Sequence, residues 1–502
     1  MTIHRYPLIV ALCVAGLFSG CAVGPDFKRP AVPELDGYTR EPLPEKTASA
    51  DLAGGEEQKF VRDQEISAQW WTLFRSPQLS AFIEKALKNN PSVQGAQAAL
   101  RQAQELVYAQ QGYYYPSIQG SVASSRQRTS ATVSPTLNSN ETLFNLHTAQ
   151  VTVGYTPDVF GGLRRQVESL QAQADSQRFV LEATYLTLTS NVVAAAVQEA
   201  GLRSQMAAAK DIIEINAKSL ELLRRQFAAG FVAGLDVAAQ EAALAQAQQA
   251  LPPLQKQLEQ TRNLLAALAG RFPAEGSGEM FELSTLHLPG ELPVSLPSKL
   301  VEQRPDVRAA EEQLHAASAE VGVAVANMLP QFTISAARGG TATAFSQMFT
   351  DGNPFWSVAG SVSQTIFAGG TLLHRKRAAE AAFDQAAAQY RSTVIAAFQN
   401  VADALYALQS DADALKAAAN SERAARATLD LVRKRLELGQ VNYLSLLNAQ
   451  QSYQQAAISR SQAQATRFTD TAALFQALGG GWWNSRTDAA AEPGDAPRQA
   501  PP

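Results

Sequence analysis

The sequence predicts an α+β chain in which a strand hairpin and a very long helix each occur twice, and three observations carry that prediction. First, Leu163 to Ala229 holds a proline-free heptad-type register: Leu163, Val167, Leu170, Ala174, Leu181, Leu188, Val192, Ala195, Leu202, Met206, Ala209, Ile213, Leu220, Leu223 and Phe227, with polar exceptions at Gln177, Thr184, Glu199 and Asn216. Second, moving that register on by 209 positions lands on Leu372, Ala379, Phe383, Ala386, Tyr390, Ala397, Val401, Ala404, Leu408, Leu415, Ala418, Ala425, Leu429, Val432 and Leu436. Both copies carry consecutive steps of four that end at Val192 and Val401, a stutter that locally unwinds a supercoil. Third, two stretches bounded by proline and glycine switch from a helical period to a period of two. At 1.5 Å per residue each long helix would be a rod of roughly 100 Å, about three times a membrane-spanning helix. An ordinary globular domain has no use for that length.

Composition excludes several functions. The 502 residues carry a formal net charge of −4 with 18% charged side chains, so no basic footprint for nucleic acid exists. The two cysteines, Cys13 and Cys21, lie in and at the end of the leading apolar run, which permits neither a zinc spacing nor a disulfide framework. His4, His147, His287, His315 and His374 form no HxxxH or HExxH pair, and with no phosphate loop or nucleophile–base pair the chain does not read as an enzyme. No cofactor or metal site is expected.

The first 20 residues read as an export signal: His4 and Arg5 form a short basic head, Leu8 to Phe18 an apolar core, and small residues precede Cys21. Leu17-Phe18-Ser19-Gly20-Cys21 resembles a bacterial lipobox, with Phe18 where leucine is usual. That resemblance implies cleavage before Cys21 and its acylation, and Ala22 in place of an aspartate implies sorting to the outer membrane. Several acyl chains on one residue make a stable anchor.

From there to about residue 60 the chain is rich in proline, glycine and acidic residues and is expected to be an extended leader. A first repeat, 61–270, opens with Trp70-Trp71-Thr72-Leu73-Phe74 and an amphipathic helix from Pro77 to Asn90 with Leu79, Phe82, Ile83, Ala86 and Leu87 on one face. Pro91 opens a second helix to about Gly112. A hairpin at about 116–158 follows: Ile118, Gly120 and Val122 alternate with Gln119, Ser121 and Ala123, and Ala149, Val151, Val153 and Tyr155 alternate with Gln150, Thr152, Gly154 and Thr156. The long helical hairpin spans 162–270, turning at Gly230, a residue suited to a left-handed cap, and interrupted on its return by Pro252-Pro253. A proline-punctuated segment without a period, 271–297, is read as a linker.

A second repeat, 298–480, runs the same programme. Pro305 and Pro330 follow Pro91 and Pro116 at the same spacing, and Gly439 follows Gly230 by 209. Its hairpin at about 330–367 alternates Phe332, Ile334 and Ala336 with Gln331, Thr333 and Ser335, then Trp356, Val358, Val362 and Ile366 with Ser357, Ala359, Ser361, Ser363 and Thr365. Its long helical hairpin spans 370–478, and the tail, 481–502, is expected to be disordered.

Strands of about ten residues are long enough to cross a bilayer when tilted, but lipid leaves no water to satisfy a sheet edge. Four strands alone must therefore close with strands from other copies, apolar face to lipid and polar face to water. With two over-long rods in the same chain, the natural object is a tube.

Cys21-Ala22-Val23-Gly24-Pro25-Asp26-Phe27, Trp70-Trp71-Thr72-Leu73-Phe74, Asn90-Pro91, Gln303-Arg304-Pro305-Asp306-Val307-Arg308-Ala309-Ala310-Glu311 and the tip from Gly439 to Gln450 together resemble the TolC-like outer membrane factors, specifically their NodT-type efflux lipoproteins. The resemblance covers Cys21 to Gly480. It implies an α+β membrane protein with the outer membrane factor fold: a homotrimer with four strands per protomer in a 12-stranded barrel, continued by a long helical barrel into the periplasm. It implies passive export of drugs or other toxic small molecules, handed on by a periplasmic adaptor and an inner-membrane pump. The exit channel of a type I protein secretion machine is a second reading. A periplasmic coiled-coil adaptor or scaffold is a third, which the four alternating strands disfavour.

Site residues follow from the same tube. Cys21 would carry lipid. The tips, holding Arg225, Gly230, Leu235 and Asp236 in the first hairpin and Arg435, Gly439 and Leu444 in the second, would meet the adaptor. Related channels close just beyond the second tip with carboxylates and leucines. Here Leu444, Ser445, Leu447 and Asn448 would form the constriction, without an aspartate ring.

Overall fold

The computed structural model describes residues 22–487 apart from 34, 36, 131–141 and 277. The expected signal peptide, Cys21 and the tail from 488 onward lie outside the described residues. In chain order the elements are β1 (Lys59–Arg62), α1 (Pro77–Asn89), α2 (Pro91–Gln111), β2 (Ser117–Arg128), β3 (Leu143–Tyr155), α3 (Gly162–Ala228), α4 (Gly234–Gln249), α5 (Leu251–Leu268), β4 (Glu291–Val294), α6 (Pro297–Gln303), α7 (Pro305–Ala326), β5 (Gln331–Ala342), β6 (Pro354–Ser363), α8 (Thr371–Glu437) and α9 (Tyr443–Ala477). The long helices α3 and α8 are 67 residues each. Two compact units result, one from the residues up to Pro30 with Ala99–Gln177 and Ala310–Tyr390, the other from Ala31–Ala98, Arg178–Ala309 and the chain from Arg391 onward.

The first unit contains an antiparallel sheet in the order β2-β3-β5-β6. Its register puts like with like. Ile118 lies opposite Val153, Val153 opposite Ala336 and Ala336 opposite Val358, whereas Gln119 lies opposite Thr152, Thr152 opposite Ala337 and Ala337 opposite Ser357. One face is thus apolar and the other polar across all four strands, and a slip of one residue would destroy both. Helix α3 starts where Asp158 caps it, its Oδ1 and Oδ2 accepting from the backbone N–H groups of Leu163 (3.0 Å) and Arg164 (2.9 Å).

In the second unit the heptad positions do the packing. Leu188, Val192, Ala195, Leu202, Ala209, Leu220 and Leu223 of α3, and Ala397, Val401, Ala404, Leu408, Leu415 and Leu429 of α8, are buried. By length and composition an apolar window of α3 could cross a membrane, but half of that window is buried inside the protein, so its apolar content serves packing. Trp70 stacks on Phe475 at 5.3 Å and meets Phe74 edge-on at 6.3 Å, closing a core with Phe468.

Three segments differ from the sequence reading. The end of the extended leader and the linker, where the sequence shows no period, supply β1 and β4, which pair in parallel from Lys59↔Glu291 to Arg62↔Val294. Short strands of this kind are set by a tertiary partner, not by a long alternating pattern. The leader is also held at Arg467, which is fully buried and donates through Nη2 to Thr47 Oγ1 (3.1 Å) and the Glu56 carbonyl (2.5 Å). The tail, expected to be disordered from 481, instead begins with a 3₁₀ helix at Trp482–Thr487. Trp482 Nε1 donates to the Gln303 carbonyl at 2.6 Å, and its ring meets Phe179 edge-on at 5.6 Å.

Candidate functional site

The strands form the first part of the site. Every residue of β2 and almost every residue of β6 is exposed, and both are outer strands with one neighbour each. An antiparallel sheet can leave one face wet, but here the apolar face is open as well, with Ile118, Val122, Trp356, Val358 and Val362 all exposed. Where the sheet joins the helices the surface turns aromatic: Tyr113 and Tyr115 are exposed, and with Tyr155, Phe160 and Phe332 they line one cavity. Aromatic residues at strand ends are typical of a membrane-water boundary.

The segment after Cys21 is strapped to this junction. Val23 N–H donates to the Phe160 carbonyl at 3.1 Å, and Arg165 Nε donates to the Val23 carbonyl at 3.1 Å. Arg165 pairs with Asp26 at 2.6 Å and with Glu168 at 2.7 Å. Phe27 stacks on His315 at 4.4 Å, and Arg29 pairs with Glu311 at 2.5 Å. A side chain in place of Gly161 would lie 2.5 Å from the Cα of Ala22, so Gly161 is where the chain next to Cys21 rests. Phe27 and Glu311 belong to two of the recognised motifs, and each is engaged in this strap, Phe27 by His315 and Glu311 by Arg29. Arg304, in the second motif, forks onto Asp306 at 2.9 and 2.6 Å and donates to the Ala477 carbonyl. Arg304 thereby ties the start of α7 to the end of α9.

The two hairpin tips share one backbone design. Gly230 N–H donates to Phe227 and Phe231 N–H to Gln226; likewise Gly439 N–H donates to Leu436 and Gln440 N–H to Arg435. These are paired Schellman caps, with Gly230 at φ 78° and Gly439 at φ 70°. Neither glycine has an atom near where a Cβ would sit, so the left-handed backbone, and not crowding, is what asks for glycine. Around them apolar side chains stand in solvent: Leu235 is 78% exposed and Leu444 59%, joined by Phe231 at 81% and Leu438 at 70%. Phe231 and Leu438 were not singled out from the sequence; an apolar residue on either side of a cap glycine is the signal that would have found them. Arg225 pairs with Glu221, Asp236 sits in the first turn of α4, and Arg435 is exposed.

The residues expected at the constriction divide. Leu444 and Asn448 are exposed, Leu447 is half-buried, and Ser445 is committed elsewhere, its N–H (3.0 Å) and hydroxyl (2.7 Å) both donating to the capping Asn442 Oδ1. Asn448 instead opens a polar groove with Gln451, Ser452, Gln455 and Ser459. The two hairpins are tied at this level. Tyr443 Oη donates to Gln240 Oε1 at 2.6 Å, and Gln240 Nε2 donates to the Asn216 carbonyl (2.8 Å) and Oδ1 (2.9 Å). Burial pushes the Tyr443 phenol up to about 12, so it stays a donor.

A sheet with alternating faces and aromatic ends, together with duplicated helical hairpins, defines a channel-forming outer-membrane protein. The sequence model of the outer membrane efflux protein family matches residues 82–271 and 296–480, and the chain belongs to that family. It is 29% identical over 445 residues to the pyoverdine export outer membrane protein OpmQ of Pseudomonas putida, covering 88% of this chain and 94% of that one. It is 28% identical over 495 residues to the toluene efflux pump outer membrane protein TtgF of Pseudomonas putida, covering 95% and 97%. The solved outer-membrane channel OprN superposes with a TM-score of 0.81 at 27% identity, over 92% of this chain and 100% of that one. The fold is that of the outer membrane factors, and the protein is an outer-membrane exit channel of tripartite efflux. The family is one of transport channels, not of enzymes.

Proposed function

We propose that three copies of this chain close a 12-stranded barrel and a helical duct, passing small molecules such as drugs or other toxic compounds outward from a periplasmic adaptor and an inner-membrane pump. The carrying observation is the sheet with two outer strands lacking partners and an apolar face in solvent, a surface that hydrocarbon and further copies would complete. Three copies supply the twelve strands that four per chain imply. Pyoverdine and toluene, named for the relatives, differ widely in size and polarity. That suits a duct whose selectivity rests with its pump.

Cys21 carries acyl chains in this reading. The straps from Val23 to Arg29 support it by holding Ala22 at the strand–helix junction, where a headgroup layer would lie. Gly230, Leu235, Gly439 and Leu444, with Phe231 and Leu438, offer the adaptor small, apolar tips. The closing ring is Leu444, Leu447 and Asn448, with Ser445 between them held by the capping Asn442. The test is planar-bilayer conductance together with native mass spectrometry of the detergent-extracted protein. A trimer with stable single-channel conductance is expected, and a monomeric particle without conductance would overturn the reading. Cys21→Ala should abolish labelling by a palmitate analogue, whereas continued labelling would remove the anchor.

A further inference from the structure

We propose that one acyl chain of Cys21 lies in the aromatic cavity at the strand–helix junction, so that the protein's own lipid fills it. The inference rests on the reading of Cys21 as acylated. The cavity measures about 640 Å³, within the range of pockets that hold small ligands, and every residue lining it belongs to the first compact unit. Its walls are the end of α2, the helix-joined ends of β2, β3 and β5, and the start of α3.

Those walls call for an apolar occupant. Tyr113, Tyr115, Tyr155, Phe160, Leu163 and Phe332 supply ring and aliphatic surface, with Phe160 and Phe332 6.3 Å apart. The polar groups beside them are spent within the protein. Gln110 Nε2 donates to Gln166 Oε1 at 2.6 Å, and Gln331 Nε2 donates to the Ala326 and Leu329 carbonyls at 3.2 Å each. Asp158 is used by the first turn of α3. Among the described residues no lysine or arginine lines the cavity, so a phosphate would find no cation in it. An acyl chain there would take apolar surface out of water without stranding a polar group.

Where the strap ends decides which acyl chain this is. A side chain at Gly161 would lie 2.5 Å from the Cα of Ala22 and 2.6 Å from its Cβ, and the neighbours of Gly161, Phe160 and Gly162, both line the cavity. Val23 N–H is bound to the carbonyl of that same Phe160 at 3.1 Å, and buried Arg165 holds the Val23 carbonyl. Ala22 therefore rests beside the rim, and the acylated residue follows after one step of about 3.8 Å along the backbone. A chain tethered so close meets the cavity at a far higher effective concentration than a free lipid does. The other acyl chains remain available to enter the bilayer and keep the anchor.

The experiment feeds cells a palmitate analogue bearing a diazirine and an alkyne, irradiates outer-membrane vesicles, then extracts and digests the protein. Cross-links from Cys21 to peptides carrying Tyr113, Tyr155, Phe160 or Phe332 are expected. Being intramolecular, they add no phospholipid mass to the intact chain. The same protein exported with an ordinary signal peptide, so that it begins at Ala22 without acylation, should show none of them. Cavity cross-links that add phospholipid mass, or that persist in the unacylated protein, would place a free lipid there and overturn the inference. So would a labelled Cys21 cross-linked to bilayer lipid alone. Phe332→Gln should lower the cavity cross-links several-fold with Cys21 labelling unchanged, and an unchanged yield would overturn the site; if that variant fails to assemble, the wild-type map decides. A Cys21 that carries no analogue at all would instead remove the acylation itself, so the two failures are read apart.

Discussion

The two helical hairpins began as copies and now differ in ways that the shared length of α3 and α8 conceals. Both tips turn on the same paired cap, at Gly230 and Gly439. Past the tip they part. The first return helix is broken at Ala250 into α4 and α5, starts at Ala233 without a side-chain cap, and buries only Gln240 and Ala247 along α4. The second is one helix of 35 residues, capped by Asn442 and buried at many positions from Leu446 to Ala477. Even the shared register diverges, since Leu202, buried in α3, becomes Asp411 at the matching position of α8. Duplication preserved the tips, where chain reversal permits few solutions. It relaxed the shafts, where each copy meets different neighbours.

The largest way to break this comparison is at the tip itself. Gly439→Trp forces a bulky side chain onto a left-handed backbone, costing roughly 1–2 kcal/mol locally, and places it on the exposed surface. We expect export, read as substrate accumulation in a strain deleted for the native gene, to fall at least several-fold with trimer yield unchanged. Unchanged export would remove the tip from docking.

Next is Tyr443→Phe, which leaves the buried Gln240 Oε1 without its donor and unties the two hairpins. A loss of about 1–3 kcal/mol is expected, checked by thermal unfolding. Conductance should rise if that bond restrains the duct. A smaller effect tests the capping difference directly. Asn442→Ala should destabilise by about 1 kcal/mol, and Ala233→Asp should stabilise by a similar amount by giving the first hairpin the cap it lacks. Equal shifts of one sign would show that the caps are not what separates the hairpins.

The smallest is a pH slope. Burial and the neighbouring Asp470 push the Asp411 carboxyl up to about 7, against the pull of Arg467. Since the folded state favours the protonated form, this contribution to stability is full below about pH 4 and is lost as pH rises through 7. Asp411→Asn should therefore gain stability over the wild type at pH 8 and little at pH 4, read from unfolding midpoints. A gain independent of pH would place the effect in packing alone.

Much of this was legible in the residues. Periodicity marked α3 and α8, alternation marked four strands, and the glycines marked both tips, because each is a local pattern that the backbone must obey. The tip residues Leu235 and Leu444 could be named from their place beside a turn. That the Ser445 hydroxyl serves Asn442 was not legible, because a one-dimensional reading does not show which of two polar neighbours a hydroxyl chooses. β1 and β4 were missed because four-residue strands carry no period. Trp482 was lost in a tail whose composition is polar, although its indole fills a slot against Phe179.

By itself, then, the chain's order of residues determined the helices, the strands, their duplication and the sidedness of the sheet, since all of these depend on spacing along the backbone. Tertiary structure alone decided that Arg467 is buried against the leader, that the segment beside Cys21 is strapped to the strand–helix junction, and that Tyr443 ties one hairpin to the other. Those facts depend on which remote groups meet, and a pairing between residues hundreds of positions apart is set by the packing of the whole fold, not by any local pattern.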